Sequence, residues 1–422
     1  MIHLLQCCSM WSRSLIGIFT TLVLIGVVSY HPITVQAEST FWQFQSIDTM
    51  KYSRDPSRQF ASDLEALQKL AESQVSDIAA TGATHVGIAT PYDEEFIPVL
   101  KTWVDAAKEQ NLSVWFRGNL SGWEGWFGYP SLTRQEHTAK TVEFILAHPD
   151  LFAHGDIFSA CPECENGGPG DPRQSGDVTG HRQFLISEHQ AVNETFRSIG
   201  KNVDTRFNSM NGDVARVVMD PETTKALGGL VVIDHYVKTP AQLDADVTKI
   251  AQQSGGQVIL GEMGAPIPDI HGNLSEQEQA KWVEQALRLM VRNPHLYGIN
   301  YWTNLGGSTA LWQESGAAKP VVDVLTAFFQ PAVAQGRITN TLGRGIPGAK
   351  LSTESQVTVS QKNGEFSLPY LNNSEQVLVS APDYESLTTS VQAIEQQAEV
   401  SLQPNSASVW YRLQLWFTNL LT

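Results

Sequence analysis

Short apolar runs and amphipathic segments alternate along most of this chain. Uninterrupted apolar runs are typical of parallel strands that are buried on both faces. Between the runs, apolar residues recur at the spacing of a helix face, as in Val99, Trp103 and Ala107. Eight strand–helix pairs predict the α/β class and a (β/α)8 TIM barrel over residues 38–331. The eight predicted strands are Phe44–Asp48, His85–Thr90, Ser113–Arg117, Asp156–Ser159, Asp204–Asn208, Leu230–His235, Val258–Glu262 and Tyr297–Trp302.

The pattern changes after Phe329-Gln330-Pro331, where short strand-like runs alternate with turn residues. Two of these runs flank Lys362-Asn363-Gly364, and an Asn-Gly pair in this setting predicts a β-hairpin. We therefore expect a small all-β sandwich over residues 336–403. Residues 404–422 form a tail rich in aromatic residues and leucine. This tail predicts either a helix packed on the protein or a segment that binds a membrane or a partner.

The N-terminal segment has the layout of an export signal. Arg13 precedes the nearly all-apolar run Leu15–Val28, and Val35-Gln36-Ala37 supplies a small-residue cleavage site. The sequence thus predicts a signal peptide over residues 1–37 and a secreted, cell-surface or periplasmic protein. The alternative is an uncleaved membrane anchor, although the run is shorter than the roughly 20 residues that a spanning helix needs.

The charge balance excludes some classes of partner. The 422 residues include 44 acidic and 28 basic side chains, which gives a formal net charge of −16. Such a charge argues against nucleic acid and against an anionic membrane surface as a partner. Membrane contact is then expected only through an uncleaved signal or through the C-terminal tail. No glycine-rich phosphate-binding motif follows a predicted strand, so no nucleotide cofactor is expected.

Two acidic motifs stand at the predicted C-terminal ends of strands. Glu262 ends the apolar run Val258-Ile259-Leu260, and both Glu163 and Glu165 follow the fourth strand. Barrel enzymes carry their chemistry at this rim, and a pair of carboxylates there suits acid–base cleavage of a sugar linkage. We predict Glu262 as the nucleophile. Both Glu163 and Glu165 are candidates for the acid, and the distance of each from the strand favours Glu163.

The nucleophile must stay ionised, which requires a basic or hydrogen-bonding neighbour. Tyr236 and His235, on the rim of the sixth strand, are the predicted donors to Glu262. For His235 a satisfied core histidine is the alternative. Cys161 and Cys164 flank Glu163, and a disulfide is the expected state in an exported protein. A redox site would need a helix after the second cysteine, and a zinc site would need further ligands, so no metal is predicted.

Aromatic and polar residues gather near other strand ends. Flat indole rings suit the apolar faces of sugars, and several tryptophans in one glycine-rich loop fit poorly with a buried core. Polar side chains at further strand ends are candidates for binding sugar hydroxyl groups. The predicted substrate-binding residues are Trp123, Trp126, Trp302, Asp48, Arg117, Asn119, Asn208, His235 and Tyr236.

The barrel region, residues 40–330, resembles the cellulase-like superfamily of retaining (β/α)8 glycoside hydrolases. The resemblance is carried by Glu262 on strand 7, an acid after strand 4, Tyr236 after strand 6 and Trp302 on strand 8. It implies that Glu163 or Glu165 is the acid/base, that Glu262 is the nucleophile and that Trp302 floors the sugar site. The clan usually has asparagine directly before the acid/base, whereas here Pro162 precedes Glu163. Residues 336–402 resemble a carboxypeptidase-regulatory-like β-sandwich, which implies an accessory or spacer domain.

The predicted function is an exported retaining glycoside hydrolase that cleaves a polysaccharide or oligosaccharide without a metal or an organic cofactor. A non-catalytic carbohydrate-binding barrel is the first alternative, and the missing asparagine favours it. A cell-surface structural protein, in which the sandwich and the tail make the key contacts, is the second. A redox protein built on Cys161 and Cys164 ranks last.

Overall fold

A computed structural model of the protein describes residues 40–354 and 356–405, together with Leu413 and Trp416. The predicted signal peptide lies outside the described residues. Beyond Asn405, only Leu413 and Trp416 of the predicted tail are described, and both side chains are exposed. Within the described part of the chain, no helix has the length and the apolar character that crossing a bilayer requires.

Eight parallel strands form the first sheet, in the order β4-β3-β2-β1-β8-β7-β6-β5. A parallel bridge between Ile157 and Asp204 joins the strand-4 edge to the segment that precedes β5. This arrangement confirms the predicted (β/α)8 barrel. The strands are β1 (Phe44–Asp48), β2 (His85–Ile88), β3 (Ser113–Phe116), β4 (Ile157–Phe158), β5 (Ser209–Asn211), β6 (Leu230–Asp234), β7 (Gln257–Met263) and β8 (Leu296–Tyr301).

Helices surround this sheet, and side-chain caps set where several of them begin. Asp63 caps α3, while Thr133 and Ser275 each form a capping box, with Glu136 and Glu278 respectively. The helices are α1 (Met50–Ser53), α2 (Ser57–Phe60), α3 (Leu64–Ala80), α4 (Ile97–Glu109), α5 (Ser121–Glu124), α6 (Arg134–Ala147), α7 (Pro172–Ser175), α8 (Val178–Ser198), α9 (Gly212–Val218), α10 (Pro221–Ala226), α11 (Pro240–Ser254), α12 (Pro268–His271), α13 (Glu276–Met290), α14 (Pro320–Phe329) and α15 (Val391–Gln397).

The fifth strand differs from its prediction. Residues 204–208 contribute only the Asp204 bridge, and β5 begins at Ser209. Ser209 pairs with Val232 in the middle of β6, so Asn208 lies below the C-terminal rim. The Asn208 side chain is buried, and its amide donates to the carbonyl of Arg206 at 3.4 Å. The prediction that Asn208 ends the fifth strand is therefore wrong, because the strand starts after it, and its role in substrate binding stays a prediction.

Two apolar layers hold the barrel together. The larger one lies between the strands and the helices, and it includes Leu67, Trp103, Val247 and Leu287. The smaller one fills the barrel interior near the N-terminal ends of the strands. Its buried members are Phe44, Trp115, Ile157, Phe207, Leu230, Val232 and Ile259. This packing closes the barrel from below, so the open end is the C-terminal rim.

The remaining strands form two packed sheets, as the sequence predicts. A four-stranded sheet has the order β11-β10-β13-β14, and a three-stranded sheet has the order β12-β9-β15. Side chains such as Leu351, Val379, Ile338 and Phe366 form a separate core between them. The strands are β9 (Ala332–Asn340), β10 (Lys350–Ser352), β11 (Val357–Val359), β12 (Glu365–Tyr370), β13 (Gln376–Ser380), β14 (Leu387–Ser390) and β15 (Glu399–Leu402).

The Asn-Gly turn of the sandwich has a different role from the one predicted. Gly364 has φ of +86°, as a tight turn requires, but β11 pairs with β10 and β12 pairs with β9. The turn therefore carries the chain from one sheet to the other and does not close a hairpin.

The sandwich adjoins the face of the barrel where the strands begin. Its first strand, β9, starts three residues after the end of α14. Arg292, which precedes β8, forms an ion pair of 3.0 Å with Glu354 after β10. Leu371 of the sandwich packs against the large barrel core. The C-terminal rim of the barrel thus faces away from the sandwich.

Candidate active site

Glu262 is the next-to-last residue of β7, and its side chain is held from two sides. The Tyr236 hydroxyl donates to Oε2 at 2.9 Å, and Nη2 of Arg117 lies 3.0 Å from Oε1. The residue is only 7% exposed. Tyr236 follows β6 and Arg117 follows β3, so three parts of the sheet fix one carboxylate. This geometry favours the ionised form, which accepts both contacts.

Glu163 lies opposite this carboxylate, in the loop after β4. Carboxylate oxygens of Glu163, Glu262 and Asp234 all lie within 4.8 Å of one another. The Glu163 backbone has φ of +45°, in the left-handed region that costs a non-glycine residue about 1 kcal/mol or more. Its amide donates to the carbonyl of Ser209 at 2.8 Å, which ties the loop to β5. Such strain is typical of functional positions where the surrounding structure fixes the backbone.

A disulfide between Cys161 and Cys164 brackets Glu163. Both cysteines are buried, and the indole nitrogen of Trp123 donates to the carbonyl of Cys164 at 3.2 Å. Gly167, further along the loop, lies so close to the Trp123 backbone that an added Cβ atom would clash with it. The loop that carries Glu163 is thus held by a covalent bridge and by the Trp123 side chain.

Glu165, the other candidate acid, has different contacts. Its Oε1 accepts from the backbone amide of Asn211 at 2.6 Å and from the Asn211 side chain at 3.0 Å. The residue is 3% exposed, whereas Glu163 is only half-buried and faces Glu262. Of the two candidates, Glu163 is thus the one whose carboxylate oxygen lies within 4.8 Å of Glu262 and Asp234. Asn211 at the end of β5 was not predicted, because the strand itself was assigned to earlier residues.

Arg117 is the centre of a buried ion network beneath these carboxylates. Its guanidinium contacts Asp48, lies 3.2 Å from Asp234 and binds Glu262 as described above. It also stacks over the Trp115 ring, at 4.5 Å from the ring centroid. Burial alone lowers the pKa of Arg117, but the surrounding carboxylates overcome this effect and keep its pKa well above the usual value. Arg117 thus keeps its positive charge under the open end of the barrel.

The pKa values of the two facing carboxyl groups are both displaced upwards. Burial raises the pKa of Glu262 to about 7, although Arg117 and Tyr236 act in the opposite direction. Burial also raises the pKa of Glu163, with Arg117 opposing and Glu165 adding to the rise. One proton on this pair relieves the repulsion between the two charges. Since Arg117 and Tyr236 both contact Glu262, Glu163 is the favoured site for that proton.

Three polar residues predicted to bind substrate are bound to other protein groups. Asp48 is buried, binds Arg117 and accepts from the amide of Met50. Arg117 is likewise enclosed by its carboxylate partners. Asn119 is fully buried, and its side-chain amide donates to Glu124 at 2.8 Å. Asp48 and Asn119 therefore serve other protein groups below the rim, whereas Arg117 also lines a hollow at the rim. Contact of these side chains with sugar hydroxyl groups stays a prediction.

The three tryptophans predicted to bind sugar differ in their exposure and contacts. Trp123 is 3% exposed and packs against Phe184 and His137, so the prediction that it stacks on sugar is wrong. Trp126 and Trp302 are both half-buried at the rim. The Trp302 ring meets Tyr236 edge to face, with centroids 6.0 Å apart, which places it beside the tyrosine that binds Glu262.

The backbone amide of His235 donates to the carbonyl of Glu262 at 2.9 Å, but the imidazole binds elsewhere. Its Nε2 lies 2.9 Å from a carboxylate oxygen of Asp246 on α11, and its ring packs against Gly212. Of the two predicted donors to Glu262, the structure thus brings only Tyr236 to the carboxylate. His235 lines a neighbouring hollow on the strand-5 and strand-6 side of the rim.

Two hollows adjoin the facing carboxylates. One of about 300 Å³ is lined by Arg117, Glu124, Trp126 and Glu163, among others. The other, of about 550 Å³, is lined by Asp234, His235 and Tyr236 on the opposite side of Glu262. The rim thus has open space near Glu163 on one side and near Asp234 and Tyr236 on the other.

Within the part of the chain that the structure describes, two groups of side chains have spacings that would suit a metal ion. One comprises Glu163, Asp234 and Glu262, where Arg117 already supplies a positive charge to two of the carboxylates. The other comprises His137, Cys161 and Glu188, but its sulfur is bonded to Cys164 and offers no thiolate. We therefore interpret the first group as acid–base machinery and the second as structural.

Comparison with known proteins identifies the fold. No protein-family model matches the sequence, and the search of curated proteins gives no significant match. GH5_18 from Streptomyces cattleya, solved in complex with GlcNAc, is 14% identical with a TM-score of 0.52, and the match covers 72% of this chain and 84% of that one. A second structure of the same protein, with Manb1-4GlcNAc, is 12% identical with a TM-score of 0.50, and covers 70% and 84%.

Larger enzymes also match. Bacteroides uniformis beta-glucuronidase 2 is 10% identical with a TM-score of 0.44, and the match covers 80% of this chain. This chain spans only 44% of the length of that enzyme. At such low identities, the likeness to GH5_18 shows the fold alone. The chain thus has the (β/α)8 barrel fold that is found in glycoside hydrolases.

Proposed function

We propose that this protein is a retaining glycoside hydrolase that acts on a polysaccharide or an oligosaccharide. The observation that carries the proposal is the approach of the Glu163 and Glu262 carboxylates to within 4.8 Å at the open end of the barrel. Retaining enzymes hold their two carboxyl groups about 5–5.5 Å apart, whereas inverting enzymes need about 6.5–9.5 Å to admit a water molecule. The observed spacing therefore supports direct attack by a carboxylate.

In the first step, Glu163 donates its proton to the glycosidic oxygen while an oxygen of Glu262 attacks the anomeric carbon. The bond to the leaving sugar breaks, and a covalent glycosyl-enzyme forms on Glu262. In the second step, Glu163 removes a proton from water, which attacks the same carbon and releases Glu262. Arg117 and Tyr236 support this assignment because both favour a charged Glu262.

The remaining assignments follow from position. Trp126 and Trp302 are the proposed sugar platforms, since both are partly exposed on the rim. We also propose that the protein is exported, as the pattern in residues 1–37 predicts. The sandwich is proposed as an accessory or spacer domain of carboxypeptidase-regulatory-like type. Its separate core and its place opposite the rim support a role outside substrate cleavage.

The test is reducing-sugar release by the full chain on plant, fungal and bacterial polysaccharides. Glu262→Gln and Glu163→Gln are expected to lose most turnover, by a factor of at least about 100. Glu165→Gln, in the same loop, is the matched control and should retain activity. The anomeric configuration of the first product, followed by NMR, should equal that of the substrate.

Two outcomes would contradict the proposal. Inverted product would exclude the covalent step on Glu262. The wild type and all three variants could instead bind polysaccharide with equal affinity and show no turnover. That result would favour a carbohydrate-binding barrel over an enzyme. A loss of turnover in Glu165→Gln but not in Glu163→Gln would move the acid role to Glu165.

A further inference from the structure

A buried chain of polar side chains leads from the outer helices to the rim. Glu188 on α8 lies 2.6 Å from Nδ1 of His137 on α6, and Nε2 of His137 lies 2.7 Å from Oδ1 of Asn119. Asn119 in turn donates to Oε1 of Glu124 at 2.8 Å. Glu188, His137 and Asn119 are almost completely buried. Burying so many polar groups is costly unless each is satisfied, so the chain specifies one arrangement at its end, Glu124.

The direction of the hydrogen bonds in this chain follows from one backbone contact. The amide of Leu120 donates to Oδ1 of Asn119 at 2.8 Å, which fixes the side-chain NH₂ toward Glu124. His137 must then donate from Nε2 to the same Oδ1, because that oxygen can only accept. The Asn119 amide therefore holds Glu124 through one carboxylate oxygen. The orientation of that amide is itself set by its contacts with Leu120 and His137.

Glu124 lines the hollow of about 300 Å³ that it shares with Glu163 and Trp126. Among the described residues, Glu124 forms no ion pair within 4 Å. The neighbouring cation, Arg54, is bound to Asp55 at 2.8 Å and lies over the Trp126 ring. Burial raises the pKa of Glu124 to about 7, and the charge of Glu163 adds to the rise. Arg54 and Arg117 also line this hollow, but each is bound to other carboxylates. Among the described residues, neither Glu124 nor Glu163 therefore has an ion-pair partner within 4 Å.

We propose that Glu124 is a specificity-determining residue that binds the free amino group of an amino-sugar unit in this hollow. The inference rests on the proposed hydrolase function and narrows its substrate class. An ammonium group donates hydrogen bonds and carries a positive charge that can pair with a carboxylate bound to no arginine. A uronic acid would bring a third carboxylate beside Glu124 and Glu163. An acetylated amine has no charge and is bulkier, and a plain hydroxyl donates only a single neutral hydrogen bond.

The experiment compares oligomers of glucosamine, N-acetylglucosamine and glucose of equal length and linkage, by kcat/KM. The wild-type chain is expected to prefer the glucosamine oligomer. Glu124→Gln, which keeps the shape and removes the charge, should lower kcat/KM on that oligomer by about 10- to 100-fold. On the glucose oligomer the same variant should lower kcat/KM by a clearly smaller factor, because a neutral hydroxyl loses one hydrogen bond and no ion pair. Glu94→Gln is the matched control, because Glu94 is an exposed acid paired with His148 outside the hollow.

Calorimetric binding of the glucosamine and glucose oligomers to the wild type and to Glu124→Gln separates this inference from the proposed function. One outcome is that no oligomer is turned over, while the wild type binds the glucosamine oligomer more tightly and Glu124→Gln removes that preference. This result would overturn the hydrolase and retain the amine site. A second outcome is that the wild type turns the oligomers over and Glu124→Gln changes kcat/KM by the same factor on all three. This result would overturn the amine site and retain the hydrolase. Absence of any glucosamine preference in the wild type, in both kinetics and binding, also overturns it.

Discussion

Replacement of Arg117 by methionine tests the ion network under the candidate active site. The variant keeps an unbranched chain that can pack against Trp115, but it removes the guanidinium that contacts Asp48, Asp234 and Glu262. Three buried carboxylates would then lack their shared cation. Removing one partner of a buried ion pair costs about 3–5 kcal/mol, because an uncompensated charge stays behind. We expect the free energy of unfolding to fall by that amount near neutral pH.

The loss should depend on pH in a defined direction. The pKa values of Asp234 and Glu262 already lie above the unfolded values of about 4, and loss of Arg117 lets burial and mutual repulsion raise them further. A carboxyl group with a raised pKa binds its proton more tightly in the folded state. Stability is therefore fully present below the unfolded pKa and is lost as pH rises toward the folded pKa. The difference between the variant and the wild type should be larger at about pH 8 than at about pH 5.

The assay is urea unfolding of the full chain at both pH values. Arg288→Met is the matched control, since Arg288 is half-exposed and pairs with Glu284 one helical turn away. An exposed pair of this kind contributes about 0.5 kcal/mol or less. A loss for Arg117→Met no larger than that of the control, or one that does not grow with pH, would refute the argued role of the network.

Two further predictions concern the rim. Tyr236→Phe removes a donor that lowers the pKa of Glu262, so the acidic limb of the kcat/KM profile, near pH 7 in the wild type, should move up by about one to two pH units. An unchanged limb would show that Glu262 is not the group titrating there. Trp123→Ala should destabilise the protein by about 3–5 kcal/mol in urea unfolding, whereas Trp126→Ala should leave stability nearly unchanged and raise KM. A reversal of these two effects would contradict the assignment of Trp126 as the sugar platform.

The barrel could be predicted because most of its strands are apolar runs with no competing period. Glu262 followed from the same signal, since a lone carboxylate at the end of a buried strand stands at the rim. The fifth strand was misplaced because Asp204–Asn208 and Ser209–Asn211 are both polar, and only pairing with β6 decides between them. Local sequence contains no information on that register.

The roles of individual side chains were harder to predict, because they depend on contacts between distant segments. Trp123 and Trp126 stand in the same loop, yet one packs under the acid loop and the other lines a hollow. Glu124 was not predicted as a functional residue, because the chain that holds it passes through His137 and Glu188, far away in sequence. A polar residue on a helix has the same local signature whether it faces water or a buried partner.

The attachment of the sandwich to the barrel face opposite the rim has a consequence for orientation. Thr40 lies just before β1, where the strands begin, and Asn405 lies in the sandwich that adjoins the same face. Both ends of the main described region therefore leave the barrel on the side away from Glu163 and Glu262. If either end were tethered to a surface, the C-terminal rim of the barrel, with Glu163 and Glu262, would point away from that surface.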